Sequence, residues 1–252
     1  MIAFLSDIHS NTEALGACLQ ESDRLGVKRI LCLGDIIGYG PEPRETLLQV
    51  MARAEFSLLG NHEHGAMFYA SDFNPRARAA IDWTRDQLNR KDRPREENMR
   101  MWTYLDAMKK EHREGELLLV HGSPRDPVRE YLVPRDAEDK AKMAGCFELF
   151  GAAKLCFVGH SHVPGVYPES GSFLSPKDIG SEYRPGTGRA IVNIGSVGQP
   201  RDGDPRASIG ILDLERGTFG ICRVEYDVAR AQSDLRRAGL PSLLGDRLAV
   251  GA

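Results

Sequence analysis

Polar side chains that bind metal ions or transfer protons occur in five short groups along the 252-residue sequence. Each group follows a short apolar run, at the point where a strand would end. In chain order the groups are Asp7-Ile8-His9, Asp35, Asn61-His62-Glu63, His121 and His160-Ser161-His162. They contain five of the seven histidines. Imidazole and carboxylate groups in such positions point to metal binding or acid–base catalysis, provided that the fold brings them together.

The motifs within these groups differ in how strongly they indicate a functional site, because some are expected by chance more often than others. A D-x-H triplet such as residues 7–9 is expected about 0.5 times by chance in this composition, so alone it says little. G-N-H at residues 60–62 and G-H-x-H at residues 159–162 are each expected only about 0.02 times. A single histidine is most often a hydrogen-bonded core or loop residue. Five in this order favour one shared site.

The elements that must position these groups alternate in the first third of the chain. Apolar runs at residues 2–6, 29–33 and 55–59 predict strands, separated by a helix that ends at Gly26 and another at residues 44–51. Strands separated by helices pair in parallel through right-handed crossovers. Ligands bind beyond the carboxyl ends of such strands, where the polar groups lie.

The remaining elements predict a second sheet. Residues 64–115 show a pattern of helices only, strands resume at residues 116–120 and 155–158, and a helix is expected at residues 136–150. A final amphipathic helix is predicted at residues 228–237. Shorter apolar runs between Gly and Pro turns favour a second, mainly antiparallel sheet; they are residues 165–167, 190–194, 208–214 and 218–226. We expect a single α/β domain over residues 1–252, with a helical excursion at about 66–114.

Composition excludes several classes of protein. Hydrophobic residues make up 41% and charged residues 27% of the chain, which is typical of a globular domain and not of a disordered one. The net charge of −3 gives no general attraction to nucleic acid or to an anionic membrane. The five cysteines are odd in number and widely spaced, which favours reduced core residues. The first apolar run is too short for a signal peptide or a membrane span, so a cytoplasmic location is expected.

The donor set predicts borderline divalent metal ions. Imidazole, carboxylate and amide oxygen without cysteine suit Mn, Fe, Zn, Co or Ni. Seven candidate ligands are too many for one tetrahedral ion, but they suit two ions if one carboxylate bridges them. Two ions about 3.5 to 4 Å apart can activate water and hold both oxygens of an in-line phosphoryl displacement.

In this order the motifs D-x-H, G-D, G-N-H-E, H and G-H-x-H resemble the calcineurin-like metallophosphoesterase superfamily over about residues 1–213. The resemblance implies a four-layer α/β/β/α sandwich of two mixed sheets flanked by helices, and a metal-dependent phosphoric ester hydrolase. It also implies a ligand set: one ion held by Asp7, His9 and His162, the other by Asn61, His121 and His160, and Asp35 as the bridge.

Further site residues follow from the same resemblance. It implies that His62 is the general acid or transition-state stabiliser beside the leaving group. Glu63 stands where many members have Asp, and we expect it to orient His62 or a metal ligand. Four segments make the chain similar to the small bacterial, phosphodiesterase-like branch; they are SDIHSN (6–11), GDIIGYGP (34–41), HGSPRDP (121–127) and GSVGQPRDGDPRAS (195–208).

The loop at residues 195–201 is the predicted phosphate-binding segment. Gly195, Ser196 and Gly198 would let backbone N–H groups approach a phosphate, and Arg201 would supply a fork of donors. A plain turn after a strand remains the alternative. Tyr39 and Tyr131 are expected in loops that flank the site, with packing favoured over substrate stacking.

We expect hydrolysis of phosphodiester or nucleotide-type substrates by a hydroxide that bridges two ions, with manganese as the ion most suited to assays in vitro. The alternatives are a phosphomonoesterase, including a Ser/Thr phosphoprotein phosphatase, and a non-catalytic binding scaffold of the same fold. A small phosphoester or nucleotide is the expected partner, and a membrane or nucleic acid is not. The oligomeric state stays open.

Charge distinguishes the two ester classes. Two divalent ions, Asp7, Asp35 and a hydroxide sum to about +1, which a singly charged diester nearly neutralises. A dianionic monoester needs further cations. The motif loops offer Arg125, Arg129 and Arg201, and the first two have acidic neighbours in the sequence.

Overall fold

Two five-stranded sheets pack face to face, with helices on the outer face of each, in the computed structural model, which describes residues 1–70, 73–186 and 188–252. The strands are β1 (Ile2–Leu5), β2 (Arg29–Cys32), β3 (Phe56–Ser57), β4 (Glu111–Glu114), β5 (Leu117–Val120), β6 (Leu155–Val158), β7 (Gly165–Pro168), β8 (Ala190–Asn193), β9 (Ala207–Asp213) and β10 (Thr218–Val224). The helices are α1 (Thr12–Arg24), α2 (Pro43–Arg53), α3 (Asn61–Met67), α4 (Pro75–Leu88), α5 (Arg95–Asp106), α6 (Lys140–Glu148), α7 (Pro176–Ile179), α8 (Val228–Arg237) and α9 (Ser242–Asp246), with 3₁₀ turns at Pro134–Glu138 and Arg247–Ala249.

The first sheet has the strand order β10-β9-β1-β2-β3. Its strands β1, β2 and β3 pair in parallel, as the alternation of strands and helices predicts, with Ile2 opposite Arg29 and Leu31 opposite Phe56. Strand β9 runs antiparallel to β1, and β10 continues antiparallel to β9.

The second sheet has the order β4-β5-β6-β8-β7. Strands β5, β6 and β8 are parallel, while β4 and β7 are antiparallel edge strands. The expected mainly antiparallel second sheet is therefore wrong. Strand β8 returns beside β6 in parallel and β9 crosses to the first sheet, so the late strands divide between two mixed sheets. A short apolar run does not specify which neighbour it pairs with.

The core lies in layers because β1 is apolar on both faces. Phe4 points between the sheets, where its ring stacks on Phe157 of β6 at 4.1 Å. Ala3 and Leu5 point outward and pack with Leu15 and other residues of the flanking helices. Helix α6 covers the outer face of the second sheet. The predicted class of four-layer sandwich with two mixed sheets is confirmed.

Two other expectations need correction. Residues 64–115 are not helical throughout, because Glu111–Glu114 forms the edge strand β4. The helix expected at residues 136–150 is divided: a 3₁₀ turn precedes α6, and the Asp139 side chain caps α6 by accepting from Lys142 N. The amphipathic helix predicted at residues 228–237 is confirmed as α8. All five cysteines are free. None of the described helices is long and apolar enough to cross a membrane.

Candidate metal centre

The carboxyl ends of four strands bring the polar groups together. Asp7 follows β1 and Asp35 follows β2, which are neighbours in the first sheet. His121 and His160 follow β5 and β6, which are neighbours in the second. Asn61 begins α3, just after β3. Because the two sheets face each other, these ends form one buried site.

Asp7, His9 and His162 form what we name the first cluster, whose ligand atoms all lie within 4.8 Å of one another. Asp7 Oδ1 lies 3.1 Å from His162 Nε2 and 3.9 Å from His9 Nε2. The two Nε2 atoms are 3.2 Å apart. All three side chains are buried.

Hydrogen bonds on the far side of each ring show which atoms face the centre of the first cluster. His9 Nδ1 donates to the Ile37 carbonyl at 3.3 Å and His162 Nδ1 to the Gln199 carbonyl at 2.6 Å. With Nδ1 protonated, each Nε2 carries a lone pair, and the two lone pairs face each other. Asp7 Oδ1 has no hydrogen-bond partner among the described residues. A cation between these three atoms satisfies all of them, so the donor set fits a divalent ion.

Asp35, His121 and His160 form the second cluster. His121 Nδ1 donates to the Leu33 carbonyl at 3.0 Å, so its Nε2 faces inward, 3.4 Å from Asp35 Oδ2 and 3.1 Å from Asn61 Oδ1. His160 differs, because its Nε2 donates to a backbone carbonyl at 3.0 Å and leaves Nδ1 as the ligand atom. The second cluster fits an ion equally well, with Asn61 as a further oxygen ligand.

Asp35 stands between the two clusters. Its Oδ2 is 3.8 Å from His9 Nε2 and 3.4 Å from His121 Nε2, one histidine from each cluster. Its Oδ1 accepts from the backbone N–H of His62 at 2.9 Å. One oxygen of Asp35 therefore lies near a histidine of each cluster.

His62 lies beside the clusters with its ring enclosed by other rings. Those of Tyr39, His9 and Phe73 have centroids 4.4, 4.7 and 5.1 Å away. Gly38 (φ +87°) packs so closely that a Cβ there would lie 2.1 Å from His62 Nδ1. That Nδ1 is buried without a partner among the described residues. His62 is therefore fixed by shape and not by a second hydrogen bond.

Glu63 is fully buried and its carboxylate is hydrogen-bonded by backbone groups. Its carboxylate accepts from the N–H groups of Asp35, Ile36, Ile37 and Gly60 at 2.8 to 3.1 Å. It thus ties the loop after β2 to the start of α3. Of the two roles expected for Glu63, these contacts favour orientation of a predicted ligand, through the backbone of Asp35. Orientation of His62 stays a prediction.

The predicted phosphate loop is engaged within the protein. Ser196 Oγ donates to the Asp7 carbonyl at 2.7 Å, and Gly198 N donates to the same oxygen at 2.9 Å. Gly195 N donates to Asn193 Oδ1 at 2.9 Å. Ser196 and Gly198 thus hold the Asp7 loop, and the N–H groups of Gly195 and Gly198 are already hydrogen-bonded within the protein. Phosphate binding by this loop stays a prediction.

Arg201 leaves this loop towards the site, with its guanidinium carbon 5.9 Å from the centre of the Tyr39 ring. Arg125 reaches Glu130 at 3.5 Å, so it pairs with a carboxylate other than its neighbour in the sequence. Arg201 is the predicted substrate-binding residue whose side chain the structure does place beside the clusters.

A cleft of about 190 Å³ opens beside the second cluster. The Tyr131 ring stacks on the His160 ring at 3.7 Å and is half exposed. Sequence reasoning missed Tyr69 and Phe73, which lie in a segment interpreted only as helical. The residues that line the cleft include Tyr39, Asn61, Tyr69, Phe73, Tyr131 and His160.

The loops of the site carry unusual backbone conformations. Among the described residues, seven other than glycine have a positive φ, between +50° and +64°. All lie in the loops that follow β1, β2 and β6; they are Asp7, His9, Ser10, Asp35, Tyr39, His160 and His162. Glycine adopts this left-handed conformation most readily. Other residues that adopt it are concentrated at functional sites.

Burial dominates the electrostatics of the histidines. It lowers the pKa of His62 to about 4 and that of His160 to about 3. Burial also opposes protonation of His121, but the charge and hydrogen bond of Asp35, together with the charges of Asp7 and Glu63, outweigh it and raise the pKa of His121 to about 9. Protons and metal ions therefore compete for the second cluster.

The family model described as the calcineurin-like phosphoesterase superfamily domain matches residues 1–217. The chain belongs to that superfamily. Its members are metal-dependent phosphoester hydrolases, so the predicted class of enzyme is confirmed. Residues 218–252, which include α8 and α9, lie outside the match.

Similar proteins and structures cover the whole chain. A metallophosphoesterase structure from Sphaerobacter thermophilus is 39% identical with a TM-score of 0.84, covering 100% of this chain and 98% of its own. The uncharacterized protein MJ0912 of Methanocaldococcus jannaschii is 37% identical over 100% of this chain and 98% of its own. The hypothetical protein PH1004 of Pyrococcus horikoshii OT3 is 20% identical with a TM-score of 0.77, over 100% and 99%, which shows the shared fold.

Proposed function

We propose that the protein is a dinuclear metal-dependent phosphoesterase that hydrolyses phosphodiester or nucleotide-type substrates. The observation that carries this proposal is the pair of buried clusters, Asp7–His9–His162 and Asp35–His121–His160, with Asp35 in contact distance of both.

Each part of the donor set has a place in this proposal. One ion would be held by the first cluster and the other by His121, His160 and Asn61, with Asp35 shared. When bound, two such ions supply an activated water and neutralise charge on the phosphoryl group. Manganese as the preferred ion in vitro and a cytoplasmic location remain predictions.

The chain's own residues then orient the substrate. Asp7 and Asp35 set the negative charge of the site, and the backbone bonds to Glu63 hold the Asp35 loop in place. His62 Nε2 lies 4.0 Å from Asp35 Oδ2. Burial keeps the His62 ring neutral at neutral pH, so it acts on the leaving oxygen as a hydrogen-bond donor from that nitrogen.

The cleft beside the second cluster supports a substrate with a planar group. Tyr131 offers a ring already stacked on His160, and Tyr69 and Phe73 add aromatic surface. Aromatic rings bind nucleobases and aryl groups by stacking. A nucleotide or an aryl diester fits this lining better than a small alkyl phosphate.

A phosphomonoesterase is the second candidate. The positive charge of Arg201 beside the clusters is the observation that favours it, because a dianionic phosphoryl group needs additional cations. A binding scaffold would have no chemical reason to bury five histidines with two carboxylates at one point.

The test combines metal content with substrate preference. Prolonged chelation should abolish hydrolysis of an aryl phosphodiester, and added Mn²⁺ should restore it together with about two ions per chain by elemental analysis. The diester and the matching monoester are then compared at one pH and one metal. Full activity in metal-depleted protein would contradict the mechanism. A clear preference for the monoester would replace the first substrate class by the second.

A further inference from the structure

Two arginines converge on one side of the metal centre. Arg201 follows β8, and Arg247 lies in the 3₁₀ turn after α9, outside the region that the family model matches. Arg201 Nη2 donates to Gln199 Oε1 at 2.8 Å, and Arg247 Nη1 lies 3.5 Å from the same oxygen. Two guanidinium groups thus share one neutral amide oxygen. We name them the arginine pair.

No carboxylate balances the arginine pair within the described ranges 1–70, 73–186 and 188–252, where neither guanidinium makes an ion pair. The acidic residues that follow Arg201 in the sequence are bound elsewhere: Asp202 by Arg223 and Asp204 by Arg206. The positive charge of the pair is therefore available to a ligand.

The pair is also incompletely hydrogen-bonded. Arg201 Nε is buried and has no partner among the described residues. Burial lowers the pKa of Arg247, and the charge of Arg201 lowers it further. Two like charges held together in a partly buried place are unfavourable without an anion. Guanidinium groups offer the planar, paired donors that phosphate oxygens accept.

The position of the pair relative to the clusters indicates what it binds. Arg201 N donates to the His162 carbonyl at 3.2 Å, and its guanidinium lies against Tyr39, whose ring packs on His9 at 4.7 Å. The pair therefore borders the first cluster. The aromatic cleft borders the second cluster, at His160. Tyr39 lines that cleft as well, so a substrate at the centre meets aromatic surface and the positive charge of the arginine pair next to each other.

We propose that Arg201 and Arg247 bind a second anionic group of the substrate, distinct from the phosphoryl group that reacts at the metal centre. The substrate class is then a phosphate ester with a further phosphoryl group, of which a nucleoside diphosphate is the simplest form. Its base would occupy the cleft, its first phosphoryl group the metal centre and its second the arginine pair. This inference rests on the proposed function only in placing the reacting phosphoryl group at the metal centre.

Binding without turnover tests the proposal. Calorimetry would compare ADP with AMP on Mn²⁺-loaded protein that carries His62→Asn to slow hydrolysis, at a free Mn²⁺ concentration that keeps both ions bound. This protein should bind ADP about tenfold more tightly than AMP, and adding Arg247→Ala should remove that difference while changing AMP affinity less than about twofold. Arg236→Ala, which removes an exposed arginine of α8, is the matched control and should keep the difference.

A second variant tests the proposal independently in case Arg247→Ala does not fold. Gln199→Glu puts a carboxylate where both guanidinium groups already converge, so it should weaken ADP binding with an unchanged or higher melting temperature. Unchanged ADP affinity in Arg247→Ala overturns the proposal, and so does an equal loss of AMP and ADP, which would assign the pair to the reacting phosphoryl group. Because no hydrolysis is measured, an inactive protein would contradict the proposed function and leave this result intact.

Discussion

The first and second clusters use the same kinds of ligand but differ in their surroundings. In the first cluster both histidines present Nε2, and Tyr39 and the arginine pair lie beside them. In the second, His160 presents Nδ1, and Asn61 and His160 line the cleft of about 190 Å³. The difference teaches that the arginine pair lies nearer the first cluster and the aromatic cleft nearer the second, with Tyr39 adjacent to both. Variants can separate these contributions.

Asp35→Asn should have the largest effect because Asp35 joins the clusters. The amide keeps an acceptor for the His62 N–H, but it loses the negative charge and the second anionic oxygen that two ions would share under the proposed mechanism. We expect loss of at least one ion and a fall in kcat/KM of about 1000-fold, measured by elemental analysis and kinetics. Asp106→Asn, an exposed site outside both clusters, is the control. Two retained ions at normal rate would show that Asp35 is not the bridge.

His62→Asn should lower the rate of hydrolysis without releasing an ion from either cluster. His62 Nε2 lies beside Asp35 but is assigned to the leaving oxygen, so kcat should fall roughly 100-fold while both ions stay bound. His112→Asn, on β4, should leave kcat unchanged. Loss of an ion in His62→Asn would make His62 a ligand and revise the assignment of the first cluster.

Tyr131→Leu should give the smallest effect and act only on the side of the cleft. Loss of stacking of about 1 kcal/mol corresponds to about a fivefold increase in KM for aryl or nucleotide esters, with kcat little changed. Tyr131→Phe keeps the ring and should behave as wild type. An equal increase in KM for a methyl ester would show that Tyr131 only supports His160.

The sequence could indicate the ligand groups because their spacing is rare and each follows an apolar run. Residues 60–62 and 159–162 are informative for that reason. The apolar runs before Asp7 and Asp35 are short, so each indicates closely where its strand ends and the loop that carries the carboxylate begins. The sheet neighbours of β8 and β9 could not be predicted in the same way. Both runs are apolar and buried, and pairing depends on the whole topology.

The sequence also could not indicate contacts made by a segment distant along the chain. Arg247 carries no motif, and it reaches Gln199 only because α8 and α9 pack back onto the sheet. The spacing of Tyr69 and Phe73 does not distinguish residues that line a cleft from residues that pack in the core between helices. The motif predicts a role for Glu63, but its four backbone partners belong to a loop conformation that no side-chain pattern encodes.

The left-handed backbone of the site loops links metal supply to the abundance of folded protein. Seven non-glycine residues hold a positive φ there, at a cost of order 1 kcal/mol each, comparable in sum with the net stability of a typical domain. Ion binding to the folded state offsets this cost by mass action. We therefore expect cells short of metal to lose the chain to unfolding and proteolysis, so that its cellular level would report metal availability as directly as its activity does.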